Sequence, residues 1–153
     1  MRPKLVKSSV LILFSALALM ICSPLQAQAA DMKLEALLLW GTDDAQSPNP
    51  KHKPVDAQLK KKLKQLPLKW TNYFEEKRVT FELPQGASKK VALSEHCAIE
   101  VKIIDSAKIE VTHYGEGKKV ATRTQAMPKG ETLVLGGNAP DSTAWLVVLR
   151  RIE

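Results

Sequence analysis

The sequence has 153 residues, about the size of one domain, and carries 23 basic against 16 acidic side chains, a formal net charge of +7. Three of the basic residues and one of the two cysteines, Cys22, lie in the first 29 residues, which contain no acidic side chain. The remaining chain therefore has 20 basic and 16 acidic side chains and a single thiol, Cys97, which excludes an intramolecular disulfide.

The first 29 residues have the pattern of a secretory signal peptide. Three basic residues precede an apolar run over 10–22, and a small-x-small cleavage site ends at Ala29. The apolar run is too short for a typical membrane-spanning helix. We therefore expect cleavage after Ala29, a single β-rich domain over 30–153, and export to the periplasm or the extracellular medium. The alternative is an uncleaved N-terminal anchor.

The first predicted element after the leader is a buried strand from Leu34 to Trp40. This apolar run ends at Gly41, and its length and flanks favour a strand over a helix. The segment that follows, over 42–54, is polar and contains three prolines, so we expect a loop there.

One amphipathic helix is predicted at about 56–66. Asp56 has the position of an N-cap, and Leu59, Leu63 and Leu66 follow at helical spacing before a proline ends the pattern. A helix of about three turns is marginal alone in water. We therefore expect its leucine stripe to pack on the sheet, with the lysines on the opposite face.

The rest of the chain is predicted to form β-strands. Aromatic residues over 68–83 supply large core side chains, and short strands follow over 89–93, 118–125, 132–135 and 144–152. The charges on 118–125 suit an edge strand, whereas both faces of 144–152 look covered, as in a central strand. The fold class predicted is mainly β, an antiparallel sandwich or barrel of about eight to nine short strands with one helix.

A central hairpin is predicted over 97–114, where apolar and polar residues alternate on both sides of a short loop. A slip of one residue would turn every side chain over, so the apolar faces choose the register. A three-residue loop pairs Ile103 with Ile109, whereas loops of even length place Ile103 opposite a glutamate, and we predict the first. In this register Cys97 and His113 are diagonal neighbours on the buried face.

The pair of Cys97 and His113 is the catalytic candidate. A thiol beside an imidazole is the core of a cysteine nucleophile, and Glu95 or Glu100 would orient the base. Burial on an inward face raises the pKa of a thiol, however, and strand pairs lack the helix N-terminus that often activates one. We therefore expect Cys97 to be an inert thiol sealed in the core beside a partly buried histidine.

The segment 51–69 is strongly basic, with seven lysines against one acidic residue, Asp56. It either binds an anionic partner, such as an acidic polysaccharide, lipid headgroups or nucleic acid, or forms an ordinary solvated helix face. The lack of arginine favours the solvated face and gives no strong nucleic-acid signal, since phosphate and base recognition depend on arginine or stacking. The candidate binding residues are Lys51, Lys53, Lys60, Lys61, Lys62 and Lys64.

No metal or cofactor site is predicted. His96 and Cys97 are neighbours in sequence, so in a strand their side chains point to opposite faces and cannot chelate one ion. His52 lies in the proline-rich loop with no partner at ligand spacing.

Residues 40–74, from WGTDD to KWTNYF, resemble small secreted bacterial β-domain proteins to which no activity is assigned. In those proteins a first strand ends in a WGT-like turn, a P-V-D cap opens a helix rich in lysine and leucine, and a strand with K-W-x-N-Y-F follows. The segments LVLGG and AWLVVLRR fit the same pattern. The resemblance implies a β-rich fold and export, and it implies no mechanism.

Together these observations predict an exported, non-enzymatic β domain, a binding or accessory module of the cell envelope. Its partner is expected to be an anionic envelope component, bound through the lysine-rich helix, or a protein. The alternative function is a small enzyme that uses Cys97 and His113. A third hypothesis is a subunit of a larger assembly that adds a partner strand at the edge 118–125. Contact with the membrane is expected only through the signal peptide before cleavage.

Overall fold

Two antiparallel β-sheets pack face to face, and a short helix covers the outer side of the larger sheet. The computed structural model describes residues 31–138 and 143–153, in which nine strands form sheets of five and four strands that do not close into a barrel. The predicted mainly β fold with one helix is confirmed, and the architecture is the sandwich. The predicted signal peptide over 1–29 lies outside the described residues.

The elements, in chain order, are β1 (Met32–Thr42), β2 (Lys53–Pro54), α1 (Ala57–Lys64), β3 (Asn72–Leu83), β4 (Ser88–Ala92), β5 (Cys97–Asp105), β6 (Lys108–Gly115), β7 (Lys118–Ala126), β8 (Thr132–Asn138) and β9 (Ala144–Arg151). The larger sheet has the strand order β2-β3-β1-β9-β8, and the smaller sheet has the order β4-β5-β6-β7. As predicted, β7 lies at a sheet edge and β9 lies inside a sheet. Within these residues no helix is long and apolar enough to cross a membrane.

β1 supplies apolar side chains to two separate cores. Leu34 and Leu38 face the smaller sheet and join the core between the sheets. Leu37 and Leu39 face α1 and join the second core beneath the helix. Alternate residues of a strand point to opposite faces, so an uninterrupted apolar run is what a strand covered on both sides requires. The buried strand predicted over 34–40 is confirmed.

The predicted amphipathic helix is confirmed as α1, which follows Asp56. The Asp56 side chain caps the helix, because its Oδ1 accepts a hydrogen bond from the Leu59 backbone N at 2.8 Å. Leu59 and Leu63 are each only 1% exposed and pack on the larger sheet. The expectation that Leu66 packs beside them is wrong: α1 ends at Lys64, so Leu66 leaves the helical stripe and is 38% exposed.

The central hairpin has the predicted register. Ile103 pairs with Ile109, and the apolar faces of β5 and β6 both point into the core between the sheets. The loop is shorter than predicted, because Asp105 already pairs with Lys108 and Ile104 is left as a bulge. The extra residue restores the register that the apolar faces require.

A cluster of charged side chains joins the larger sheet to the start of α1. Glu35 on β1 is buried, and its carboxylate pairs with Arg78 on β3 and with Arg150 on β9. Both arginines also approach Asp56, whose Oδ2 lies 3.2 Å from Arg150 Nη1 and 3.8 Å from Arg78 Nη2. A second carboxylate, that of Glu75, lies 2.5 Å from Arg78 Nη2. A buried carboxylate is tolerated only with partners of this kind.

Candidate functional site

Five exposed lysines of the predicted basic segment lie on and beside α1. We call them the lysine surface: Lys51, Lys53, Lys60, Lys61 and Lys64. The buried side of α1 is held by leucines, so its lysines project from the remaining faces. In the part of the chain that the structure describes, none of these five ammonium groups forms an ion pair or a hydrogen bond. The lysine surface therefore carries uncompensated positive charge.

Lys62, the sixth predicted binding residue, has a different role. Its side chain is half-buried, and its Nζ donates to the carbonyl oxygen of Gly130 at 2.8 Å and to Thr132 Oγ1 at 2.9 Å. These bonds tie α1 to the turn before β8. Sequence spacing could not separate Lys62 from its neighbours, because its acceptors come from about 70 residues further along the chain.

The single acidic residue of the basic segment, Asp56, does not neutralise the lysine surface. Partial burial acts to raise its pKa, but the hydrogen bond from Leu59 N and the charges of Arg150 and Arg78 outweigh burial and hold the pKa below its ordinary value of 3.8. Its negative charge is therefore present at neutral pH and is directed at the two arginines.

The second candidate site is the thiol cleft, a cavity of about 470 Å³ at one end of the sandwich. Its polar and aromatic lining consists of Cys97, His113, His96, Ser94, Glu76, Glu116 and Trp145. Cys97 and His113 are diagonal neighbours on β5 and β6, as predicted, and Sγ lies 3.6 Å from Nε2. The sheets meet here with a thiol and an imidazole on one side and an indole on the other.

The expectation that Cys97 is sealed in the core is wrong. Cys97 is half-buried and borders the thiol cleft. It is the first residue of β5, and the residue paired with it, Gly115, has no side chain to cover the thiol. Alternation along a strand gave the correct face but not the distance from the open end of the sandwich.

The protonation states in the thiol cleft do not favour a nucleophile. Burial raises the pKa of the Cys97 thiol, and the nearby carboxylate of Glu76 raises it further. Burial also lowers the pKa of His113. The two groups therefore meet as a neutral thiol and a neutral imidazole near pH 7, whereas an activated pair would carry a thiolate beside an imidazolium.

The acidic residues predicted to orient the histidine do not lie in the thiol cleft. Glu100 instead accepts a hydrogen bond from the Tyr114 hydroxyl at 2.9 Å, and Glu95 is exposed. Glu76 lines the cleft because it is the unpaired residue of a β-bulge in β3, opposite β1. A bulge redirects a side chain, and its position is not visible in the sequence pattern.

His96 borders the same cavity as Cys97, contrary to the prediction that the two point apart. His96 lies in the bend before β5 rather than in the strand, so strand alternation does not apply to it. Its Nδ1 lies 3.1 Å from Glu116 Oε2 in the β6–β7 turn. Across residues 31–138 and 143–153, no three His, Cys, Asp or Glu side chains are placed to bind one metal ion.

Comparisons of the chain with protein-family models, with curated proteins and with solved structures found no match.

Proposed function

We propose that the domain is an exported, non-enzymatic binding module of the cell envelope that holds an anionic envelope component on the lysine surface. The observation that supports this most directly is the lack of acidic partners for Lys60, Lys61 and Lys64 within the described residues, on a helix that is packed against the sheet. Positive charge presented without local compensation attracts an anion and accelerates its association.

The helix is already in place before any partner binds. The buried leucines fix one face of α1, Asp56 caps its start, and Lys62 ties its side to the turn before β8. A flexible basic segment would lose affinity through the cost of becoming ordered, whereas a docked helix avoids most of that cost. Lysines act as mobile point charges, which suits a polymer or a headgroup layer with repeating charge.

Binding of this kind is weak per residue and sensitive to salt. Each lysine near an anionic surface contributes about 1 kcal/mol. Screening shortens the range of such interactions to about 8 Å at physiological ionic strength. We therefore expect micromolar or weaker affinity that falls as salt is raised.

Retention on heparin–agarose, compared among variants of equal net charge, tests the proposal. The triple variant Lys60→Gln, Lys61→Gln, Lys64→Gln should elute at clearly lower salt than the wild type. The matched control replaces three exposed lysines that lie on strands rather than on α1: Lys77→Gln, Lys102→Gln and Lys118→Gln. This control should elute close to the wild type. Equal losses in both triple variants would mean that only net charge matters and would refute a localised surface.

Export is the second part of the proposal and is supported by the pattern of the first 29 residues. Mass spectrometry of the protein recovered from cell fractions tests it. The expected result is a mature chain that begins at Ala30 in the envelope or the medium. A chain that retains its first residues in the cytosolic fraction would contradict the proposal.

Catalysis by Cys97 and His113 is the second candidate function. The contact of 3.6 Å and the open thiol cleft favour it, since they give a thiol with a neighbouring base and access for a substrate. The direction of both pKa shifts weakens it, because a raised thiol pKa and a lowered imidazole pKa reduce the thiolate population. Thiol reactivity in the native state separates the two candidates.

A further inference from the structure

A second cavity, of about 380 Å³, lies beside the lysine surface, between α1, the turn before β8 and the end of β9. We call it the basic cavity. It is lined by three cationic side chains, those of Lys62, Lys129 and Arg150, and by one acidic side chain, that of Asp56. The side chain of Arg151 points away from it, to the other face of the larger sheet. Two separate parts of the chain, α1 and the segment around Gly130, approach each other here through the bonds of Lys62.

Two of these cations have no carboxylate partner within the described residues. Lys62 is bonded only to a carbonyl and a hydroxyl oxygen. Lys129 is exposed and has no ion pair or hydrogen bond in the residues described. The ammonium groups of Lys62 and Lys129 therefore lack a counter-ion among the described residues.

The acidic groups near the basic cavity are occupied elsewhere. Asp56 accepts from Leu59 N with one oxygen and from Arg150 with the other. Arg150 in turn also holds the buried carboxylate of Glu35, so this group of charges is largely compensated internally. Glu131 is turned onto its own backbone, where its Oε1 accepts from Thr132 N at 2.9 Å. None of these carboxylates pairs with Lys62 or Lys129 in the described part of the chain.

We infer that the basic cavity binds a tetrahedral oxyanion, a phosphate or sulfate monoester group carried by the anionic component. This inference rests on the proposed function and adds the chemical class of the bound group. The ammonium groups of Lys62 and Lys129 approach from α1 and from the turn before β8, and the guanidinium group of Arg150 approaches from β9. A phosphate or sulfate ester has three terminal oxygens to accept from three directions, whereas a carboxylate has two in one plane.

The donors that the oxyanion needs are available and held in position. The Lys62 ammonium uses two of its three N–H donors within the protein, so one remains for a ligand. Arg150 uses Nε and Nη1, which leaves Nη2 without a partner in the described residues. Lys129 retains all of its donors. Because Lys62 belongs to α1, a polymer lying across the lysine surface can place one charged group in the basic cavity.

Titration with inorganic phosphate, followed by ¹H–¹⁵N correlation spectra at constant ionic strength, tests the inference. Saturable shifts are expected at the backbone amides of Gly130, Thr132 and Arg151. Lys129→Gln removes an exposed, unpaired cation without disturbing the fold and should weaken phosphate binding by about three- to tenfold, the loss expected for one exposed lysine beside an anionic group. Lys118→Gln on β7, with the same change in charge, should leave binding unchanged.

Titrations with sulfate and acetate test whether the cavity prefers a tetrahedral oxyanion to a carboxylate. Sulfate should compete with phosphate at the same amides, and acetate should bind more weakly. Acetate binding as tight as that of phosphate, equal weakening by Lys129→Gln and Lys118→Gln, or no saturable shift near Gly130 would each overturn the inference.

The source of the group and the two proposals can be tested separately. Co-sedimentation of the wild type, but not of Lys129→Gln, with vesicles that contain phosphatidic acid would support a lipid headgroup as the source. Binding of phosphate without binding to these vesicles would support a soluble polymer. The triple variant of Lys60, Lys61 and Lys64 should keep its phosphate affinity while losing retention on heparin. Phosphate binding with unaltered heparin retention in that variant would refute the lysine surface and leave the basic cavity supported.

Discussion

Arg78 donates from Nη1 to Oε1 of Glu35 at 2.7 Å, across the neighbouring strands β3 and β1. The other oxygen of the same carboxylate is held by Arg150 from β9. Because both guanidinium groups also approach Asp56, the buried carboxylate of β1 helps to position the first turn of α1. The orientation of the lysine surface thus depends on a residue in the middle of the larger sheet.

Loss of the Glu35 carboxylate should strongly destabilise the domain. Glu35→Ala leaves the half-buried guanidinium group of Arg150 and the more exposed one of Arg78 without their shared partner. Breaking a fully buried pair costs about 3–5 kcal/mol, and the remaining contacts to Asp56 and Glu75 should reduce the loss here to about 2 kcal/mol. We expect a decrease of that size in the free energy of unfolding, measured by urea denaturation. Glu95→Ala removes an exposed carboxylate that has no ion pair in the described residues and is the control. Equal effects of the two substitutions would contradict the role given to Glu35.

The contribution of Asp56 should depend on pH in a defined direction. Its pKa is lowered in the folded state, so the stabilisation is fully present above the ordinary value of 3.8 and is lost as the pH falls through the folded-state pKa. Asp56→Asn keeps a good N-cap and removes only the charge, whereas Asp56→Ala also loses the cap, at a cost of about 1 kcal/mol.

Urea denaturation of the wild type and both Asp56 variants over a range of pH measures this effect. The difference between the wild type and Asp56→Asn should shrink as the pH falls below 3.8. The additional loss in Asp56→Ala should persist into acid, because the missing cap does not titrate in that variant. A difference between wild type and Asp56→Asn that grows on acidification would contradict a lowered pKa of Asp56 in the folded state.

Two leucines of the same apparent stripe should respond differently to the same substitution. Leu63→Asp places a charge in the core beneath α1 and should lower the free energy of unfolding by at least about 3 kcal/mol. Leu66→Asp alters a side chain that is 38% exposed and should cost about 1 kcal/mol or less. Thermal denaturation of both variants checks the contrast, and unchanged stability of Leu63→Asp would refute the docking of the helix.

Features that depend on local periodicity could be predicted from the sequence. The apolar run of β1, the leucine spacing of α1 and the alternation on both sides of the hairpin gave the fold class and the pairing of Ile103 with Ile109. Each of these signals repeats several times within one element. A single irregular residue, such as Ile104 or Leu66, therefore changes the detail and leaves the element intact.

Features that depend on contacts between distant elements could not be predicted. Glu76 reaches the thiol cleft through a bulge, and Lys62 turns from the lysine surface to acceptors near Gly130. The cluster around Glu35 joins residues from three strands and a loop. No spacing rule links such residues, since their proximity follows from sheet order, and sheet order was open until the structure was known.

Cys97 should be accessible but slow to react. Its thiol borders an open cavity, so a small reagent can reach it, yet its raised pKa leaves little thiolate at neutral pH. We expect alkylation of the native protein by iodoacetamide to be slower than that of a free cysteine peptide at neutral pH. The rate should rise as the pH is raised, because the thiolate is the reacting species.

Two substitutions identify the cause of the slow reaction. Glu76→Gln removes the negative charge that raises the thiol pKa and should increase the labelling rate a few-fold at neutral pH, since less free energy is needed to form the thiolate. Glu82→Gln, on the same strand but outside the thiol cleft, should not change the rate. His113→Ala should leave labelling as slow as in the wild type, because a neutral imidazole does not stabilise the thiolate. Rapid labelling that depends on His113 would instead show an activated nucleophile and would favour the enzyme over the binding module.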